Sequence, residues 1–136
     1  VIPRTTFTDP EVARVGLNEN EALEKNIEYE VVNYDISELD RAIAEGEDRG
    51  FIKVLVSPGK DTVLGATIVG HHAGELITEF VTAMKHNFGL NKILGTIHAY
   101  PTFSEANKSL AGNWKKSHAP EGALKWLKKY HAWRRN

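Results

Sequence analysis

The chain of 136 residues contains no cysteine. It therefore has no disulfide, no thiolate nucleophile, no cysteine-ligated zinc site and no iron–sulfur cluster held by its own side chains. The absence agrees with a cytoplasmic location, because disulfides are rare in the cytosol, and we predict that location.

The sequence also lacks a strong net charge and a long apolar run. The formal charge is −1, so no global field draws the chain to nucleic acid or to an anionic membrane. No apolar segment approaches the ~18 residues that span a bilayer. The N-terminal "VIPRTTFTDPE" is not a signal peptide, and the missing initial Met suggests a fragment or a processed chain. We predict neither a nucleic-acid partner nor a membrane partner.

One segment departs from this neutral background, the basic and aromatic "KWLKKYHAWRRN" at the C-terminus. The spacing of Trp126, Tyr130 and Trp133 is more typical of burial against a partner surface than of base stacking. We predict a helix over residues 123–135, with Leu124 and Leu127 on the same face as Tyr130.

The first half of the chain carries two clear local patterns. A short helix is predicted over 17–25, where Asn18 and Glu21 form a capping box and Leu23 points inward. The alternating, β-rich "YEVVNYDI" predicts a strand over 29–36. Asp9 before Pro10 indicates a turn or the start of a helix.

The second half predicts a hairpin and two helices. Two Val/Ile-rich runs, 51–56 and 63–69, flank "SPGKD" and predict antiparallel strands joined by a turn. Apolar residues at helical spacing predict an amphipathic helix over 73–88, with Gly89 as its C-cap signal. Another helix is predicted from Ser104. The order of these elements predicts a single α+β domain, 1–136, with an antiparallel β-sheet and helices packed on it.

Several motifs that carry chemistry are absent. His71, His72 and Glu75 lie close in sequence, but neither HExxH nor a pair of histidines at i, i+4 occurs, so no metal site is predicted. The adjacent histidines are better interpreted as residues at a helix start. Neither a phosphate-binding loop nor a G-x-S-x-G nucleophile elbow is present.

The stretch "GTIHAYPTFSEANK", residues 95–108, has the densest set of candidate site residues. In an extended segment, His98 and Tyr100 would point the same way. Pro101 keeps Tyr100 out of the helical region and permits a cis peptide bond. These residues allow either a helix start with a capping network or a site that moves protons.

The residues after Pro101 fit both interpretations. Thr102 or Ser104 is placed to cap the next helix, with Glu105 in its first turn. A small hydrolase or isomerase that uses His98 and Glu105 directly is a third and weaker hypothesis, because no nucleophile or cofactor site accompanies them.

The same stretch resembles the H-x-H-P-T-x-x-E segment of the flavin-dependent pyridine nucleotide–disulfide oxidoreductases. That family includes dihydrolipoamide dehydrogenase, glutathione reductase and mercuric reductase. Three further segments resemble the family in the same order: "FTDPEVARVGL", "GFIKVLV…TVLGATIVGHHAGELI" and the helix that follows. The resemblance covers residues 2–107 and implies the C-terminal interface, or dimerisation, domain of a longer flavoenzyme. The segments "LDRAIAEGEDRGFIKVL" and "LNKILGTIHAYPTFSEANKSLAGNWKKSHAPE" look closest to a mercuric-reductase-like branch.

The resemblance implies a shared active site. In such enzymes NAD(P)H reduces FAD, which reduces a CxxxxC disulfide, and the FAD and NAD(P) domains lie upstream of the segment matched here. The interface domain reaches across the dimer, where its histidine serves the partner's outer thiol and its glutamate orients that histidine. Glu105 matches the glutamate, and Pro101 and Thr102 match the Pro-Thr near the partner's flavin. Tyr100 stands at the catalytic histidine position, and His98 matches the other histidine.

The resemblance therefore implies a homodimer in which Tyr100 and Glu105, with His98 beside them, serve the partner's dithiol and flavin site. FAD and NAD(P)H belong to the full-length enzyme, and the chain alone is expected to bind neither and to be inert. We expect self-association through the helix 73–88, the hairpin sheet and residues 97–112. The alternative is a free-standing homodimeric interaction module without catalysis.

Overall fold

The computed structural model describes residues 1–120 and 122. Within them, five strands form one antiparallel sheet in the order β1-β2-β5-β4-β3. The strands are β1 (Arg4–Thr6), β2 (Glu11–Gly16), β3 (Glu30–Asp35), β4 (Phe51–Val56) and β5 (Val63–Gly70). The helices are α1 (Glu19–Glu24), α2 (Asp40–Glu45), α3 (Ala73–Lys85), α4 (Leu90–Gly95) and α5 (Glu105–Ser117), and a 3₁₀ turn spans Ile36–Glu38.

The predicted α+β class and the β4–β5 hairpin are confirmed. Ile52, Val54 and Val56 are fully buried in the core, and Leu55 between the last two is also buried, at 2% exposure. The turn between the two strands has Gly59 in the left-handed region, at φ 67°, and the Gly59 N–H donates to Glu30 Oε1 at 2.8 Å. This bond ties the hairpin tip to the start of β3.

Two helices cover one face of the sheet. α3 packs against β5 and β2, and α5 packs against β3 and α4. The apolar side of α3 is buried in the domain's own core. The largest fully buried side chains include Phe80, Ile36, Ile52, Ile68, Ile77, Leu90 and Ile93.

The predicted α1 is present, but the residue predicted to be buried on its inner face was wrong. Asn18 accepts from the Glu21 N–H at 2.8 Å, and Glu21 Oε2 accepts from the Asn18 N–H at 3.1 Å, which is the predicted capping box. Leu23, however, is 63% exposed, and Ala22 is the residue that α1 buries. The prediction for Leu23 was wrong because a helix of six residues offers too short a pattern to fix its inner face.

The end of α3 was also predicted too late. The helix stops at Lys85, and Asn87 takes the left-handed conformation with φ 54°. Gly89 is the N-cap position of α4, a helix that the sequence pattern did not predict, rather than a C-cap. Asp61 holds the start of α4, because its carboxylate accepts from both the N–H and the side-chain amide of Asn91, at 3.0 and 2.8 Å.

The turn expected at Asp9–Pro10 lies between the antiparallel strands β1 and β2, which the sequence pattern did not predict. The Asp9–Pro10 peptide is cis, and β2 begins directly after it. β2 continues to Gly16, where the next residue passes so close to β5 that a Cβ on Gly65 would overlap the Leu17 carbonyl oxygen. The predicted helix over 123–135 lies outside the described residues. Among those that are described, no helix combines the length and apolarity needed to cross a membrane.

Candidate functional site

Residues 96–104 form the connection between α4 and α5, which we call the site loop. It carries His98, Tyr100, Pro101 and Thr102, and Glu105 follows as the first residue of α5. The Tyr100–Pro101 peptide is cis. All five residues predicted for the site therefore lie in one short segment, and their side chains go to different partners.

His98 points into the domain. Its side chain is only 6% exposed, and Nε2 lies 3.0 and 3.2 Å from the two carboxylate oxygens of Glu79 on α3. Nδ1 lies 3.1 Å from the carbonyl oxygen of Thr96. Both ring nitrogens therefore lie beside oxygen atoms of other groups. In this arrangement His98 fastens the site loop to α3.

Asn107 extends this network and was missed in the sequence. It is 1% exposed, and its Nδ2 donates to the Leu76 carbonyl and to Glu79 Oε2, both at 3.0 Å. Its Oδ1 is buried and has no hydrogen-bond partner. The available signal was a polar residue on the inner face of α5, between the buried Ala106 and Leu110.

Tyr100 points the other way and is 71% exposed. Its hydroxyl donates to Oδ2 of Asp40, the first residue of α2, at 2.9 Å. That hydrogen bond, followed by the negative charge of Asp40, raises the pKa of Tyr100 above its ordinary value. His98 and Tyr100 therefore do not share one direction or one environment, because the chain turns between them.

Glu105 bonds to the loop backbone. Its Oε2 accepts from the Thr102 N–H at 3.2 Å. The Thr102 hydroxyl donates to the Ala99 carbonyl at 2.7 Å and lies 2.9 Å from Ser104 Oγ. Ser104 occupies the N-cap position without a side-chain cap bond, and the Thr102 hydroxyl is directed at the Ala99 carbonyl, so the expected cap by Thr102 or Ser104 is not formed.

A cleft of about 400 Å³ opens beside the site loop. It lies between the first turns of α3 and α5, and Phe103 packs near the rings of His71 and His72. Within the described residues, no group of three or more His, Asp or Glu side chains is placed to hold a metal ion. The lining residues are Arg41, His72, Glu75, Leu76, Glu79, Thr102, Phe103, Ser104 and Asn107.

Comparison with known protein families identifies the family of this chain. The profile described as "Pyridine nucleotide-disulphide oxidoreductase, dimerisation domain" matches residues 2–111. The chain belongs to this family. The family resemblance predicted from the sequence is thereby confirmed.

The relatives of this dimerisation domain agree with that assignment. It is 42% identical over 106 residues to dihydrolipoyl dehydrogenase of Buchnera aphidicola, covering 78% of this chain and 22% of that protein. It is 41% identical over 110 residues to mitochondrial dihydrolipoyl dehydrogenase of Dictyostelium discoideum, covering 81% of this chain and 22% of that protein. The dimerisation domain thus spans about a fifth of the length of the curated relatives it matches. The mercuric-reductase-like branch is not confirmed.

Solved structures show the same fold. The HOCl-induced flavoprotein disulfide reductase RclA from Escherichia coli superposes with a TM-score of 0.76 at 25% identity, over 82% of this chain and 26% of that one. LpdA from Mycobacterium tuberculosis superposes with a TM-score of 0.75 at 24% identity, over 81% of this chain and 24% of that one. The antiparallel sheet with its helices is therefore the fold of this dimerisation domain.

Proposed function

We propose that this domain pairs two copies of an FAD- and NAD(P)H-dependent disulfide oxidoreductase and contributes Tyr100 and Glu105 to the redox site of the partner subunit. The main observation behind the proposal is the exposed phenol of Tyr100 on the site loop. Hydrogen bonds from His98 to Glu79 and from the Thr102 N–H to Glu105 anchor this loop to α3 and α5. Family membership and the position of Tyr100 in the H-x-H-P-T-x-x-E pattern support it. The chain alone is proposed to be inert, and the predicted cytoplasmic location is kept as part of the proposal.

Unused apolar surface supports pairing through the site loop. Most apolar residues of α3 are buried within the domain, and Val81 and Met84 are partly buried against the same core, so this helix offers little apolar surface for pairing. Ile97 of the site loop is instead 93% exposed, next to the largely exposed Tyr100. Burying an isoleucine side chain contributes about 1.5–3 kcal/mol, which favours covering this tip with a second copy.

The chemistry open to Tyr100 follows from its protonation state. The pKa of its hydroxyl is raised, so at neutral pH the phenol is uncharged and is a poor general base. It offers hydrogen bonding to a thiol or thiolate instead. Since this chain has no cysteine, the redox-active dithiol belongs to another segment of the enzyme. Only the thiolate attacks a disulfide, so a group that changes the thiolate fraction changes the rate.

Of the two residues proposed to lie near the partner's flavin, Pro101 and Thr102, only Pro101 is free to contact it. The N–H and the hydroxyl of Thr102 are both used within the loop. Pro101 is exposed, and its carbonyl accepts from Arg41 at 3.4 Å. The contact with a flavin is therefore proposed to be ring packing by Pro101 rather than a hydrogen bond from Thr102. Bound FAD and NAD(P)H would supply the electron transfer.

Tyr100→Phe in the enzyme that carries this domain tests the catalytic part. We expect an altered rate for the half-reaction of the disulfide or thiol substrate, while NAD(P)H still reduces the flavin at the original rate. Tyr29→Phe makes the same chemical change outside the site loop and should alter neither half-reaction. Equal loss of both half-reactions in Tyr100→Phe would show that the residue is structural.

Light scattering at increasing concentration tests the pairing. We expect the chain to be dimeric and Ile97→Asp to shift it towards monomer. Leu23→Asp, at an exposed leucine on α1, is the matched control and should leave the association unchanged. A strict monomer that binds FAD by itself would overturn both the pairing and the division of labour.

A further inference from the structure

The first turn of α2 holds two consecutive residues of the site loop from a distance of 60 positions in the sequence. Asp40 Oδ2 accepts from the Tyr100 hydroxyl at 2.9 Å. Arg41 Nη1 donates to the Pro101 carbonyl at 3.4 Å, and the same guanidinium pairs with Glu45 on α2. Nothing in the local sequence of the site loop indicates this partner.

We propose that Asp40 is the positioning residue for Tyr100, fixing its phenolic proton so that the free oxygen lone pairs are turned to the partner's thiol. The proposal rests on the proposed function. It assigns to Asp40 the orienting part that the family resemblance gives to the glutamate at Glu105, whose Oε2 is bonded to the Thr102 N–H.

The hydrogen-bonding capacity of a phenol sets the consequence. A tyrosine hydroxyl has one proton to donate and an oxygen that also accepts. When Asp40 takes that proton, the outward side of Tyr100 acts as an acceptor. An acceptor binds a protonated thiol and offers nothing to a thiolate, so Tyr100 in this state favours the protonated form of the outer thiol.

The negative charges near Tyr100 act in the same direction. Asp40 on α2 accepts its proton and Glu105 lies at the start of α5, while the positive charge of Arg41 is directed at the Pro101 carbonyl. The hydrogen bond to Asp40 is the largest cause that raises the pKa of Tyr100, followed by the charge of Asp40, partial desolvation and the charge of Glu105. The phenol therefore keeps its proton through neutral pH, as the positioning role requires.

Asp40→Asn reverses the polarity with little change in shape. The carboxamide can donate to the phenol oxygen and leave the phenolic proton free to point outward. Tyr100 can then donate to a thiolate, so the pH profile of the thiol half-reaction should move to lower pH. Asp40→Ala removes the acceptor of the phenolic proton, so Tyr100 is again free to donate to a thiolate and the pH profile should move in the same direction as in Asp40→Asn. Asp40→Glu keeps a carboxylate acceptor and should leave the profile nearer to that of the wild type.

The first measurement uses the chain itself and no turnover. Ultraviolet absorbance is recorded during an alkaline titration of the wild type and of Tyr100→Phe, and the difference isolates Tyr100 from Tyr29, Tyr34 and Tyr130. The pKa of Tyr100 should be lower in Asp40→Asn than in the wild type. Asp48→Asn, at an exposed aspartate after α2, makes the same chemical change as a control and should leave it unchanged. An unchanged titration in Asp40→Asn would overturn the proposal.

The second measurement uses the enzyme that carries the domain. Flavin reduction by NAD(P)H should be equal in the wild type, Asp40→Asn and Asp48→Asn, and only Asp40→Asn should shift the pH profile of the thiol half-reaction. A shifted Tyr100 titration with an unshifted pH profile would refute the positioning role. If Tyr100→Phe has no effect on the thiol half-reaction, the proposed function fails, whatever the titration of Tyr100 shows.

Discussion

Replacing Glu79 by alanine removes the carboxylate that joins the site loop to the helical layer. Glu79 lies on α3 with its side chain 25% exposed, and it is bonded both by His98 and by Asn107. His98 comes from the site loop and Asn107 from α5, so a single side chain holds three segments together. The substitution tests whether this network fixes the loop that presents Tyr100.

The expected loss follows from the contacts that disappear. The bond from His98 is charge-assisted and its histidine is nearly buried, which corresponds to about 1.5–3 kcal/mol. One N–H of Asn107 also loses its acceptor, at about 1 kcal/mol because water from the adjacent cleft can partly replace it. We therefore expect the free energy of unfolding to fall by about 2.5–4 kcal/mol in Glu79→Ala. Glu79→Gln keeps one acceptor oxygen and should lose about half as much.

Urea denaturation followed by far-ultraviolet circular dichroism measures the change. Thr78→Ala, at the exposed neighbour on α3, is the control and should lie within about 0.5 kcal/mol of the wild type. A double-mutant cycle of Glu79→Ala with His98→Ala should give a coupling energy of about 1 kcal/mol or more. A Glu79→Ala loss no larger than that of the control, together with additive effects in the cycle, would refute the reasoning.

Four further results are expected. Gly65→Ala should lower the free energy of unfolding by about 2–3 kcal/mol in urea melts, because the new Cβ overlaps the Leu17 carbonyl oxygen. Asn18→Ala should cost about 1 kcal/mol by breaking the capping box of α1 in the same assay. The pKa of Glu21 is lowered, chiefly by the backbone N–H of Asn18. The contribution of Glu21 to stability is therefore present above about pH 4.5 and is lost as the pH falls below that value. Asn18→Ala should flatten this part of an acid titration followed by circular dichroism. The pKa of Tyr100 is raised from 10.0, so the stability gained from its bond to Asp40 is fully present below pH 10 and is lost as the pH rises through the raised pKa. An alkaline titration of Asp40→Asn should not show this loss of stability.

Elements with a strong internal pattern were predictable from the sequence. The hairpin and the two long helices repeat their apolar residues at the period of the structure they form, and the capping box needs only two residues three apart. α4 has six residues and depends on Asp61, a residue from the β4–β5 turn, for its start. β2 depends on pairing with the distant β5, and β1 in turn pairs with β2. Such elements are fixed by tertiary contacts, which a local pattern does not contain.

The same distinction applies to the site. The sequence placed His98, Tyr100 and Glu105 in one segment, and the structure has them in one loop and the helix that follows. The sequence did not indicate that Asp40 would bond to Tyr100 or that Glu79 would bond to His98, because these partners lie 60 and 19 positions away along the chain. Their partnership depends on how α2 and α3 pack around the loop, which only the folded chain defines.

The position of β5 in the centre of the sheet has a consequence for the order of folding. Residues 57–62 separate β5 from β4, whereas residues 17–62 separate it from β2. Closing the longer segment costs about 2 kcal/mol more in chain entropy, so the hairpin is the contact formed first. We expect β1 and β2 to join last, and substitutions in them to speed unfolding while leaving the folding rate almost unchanged.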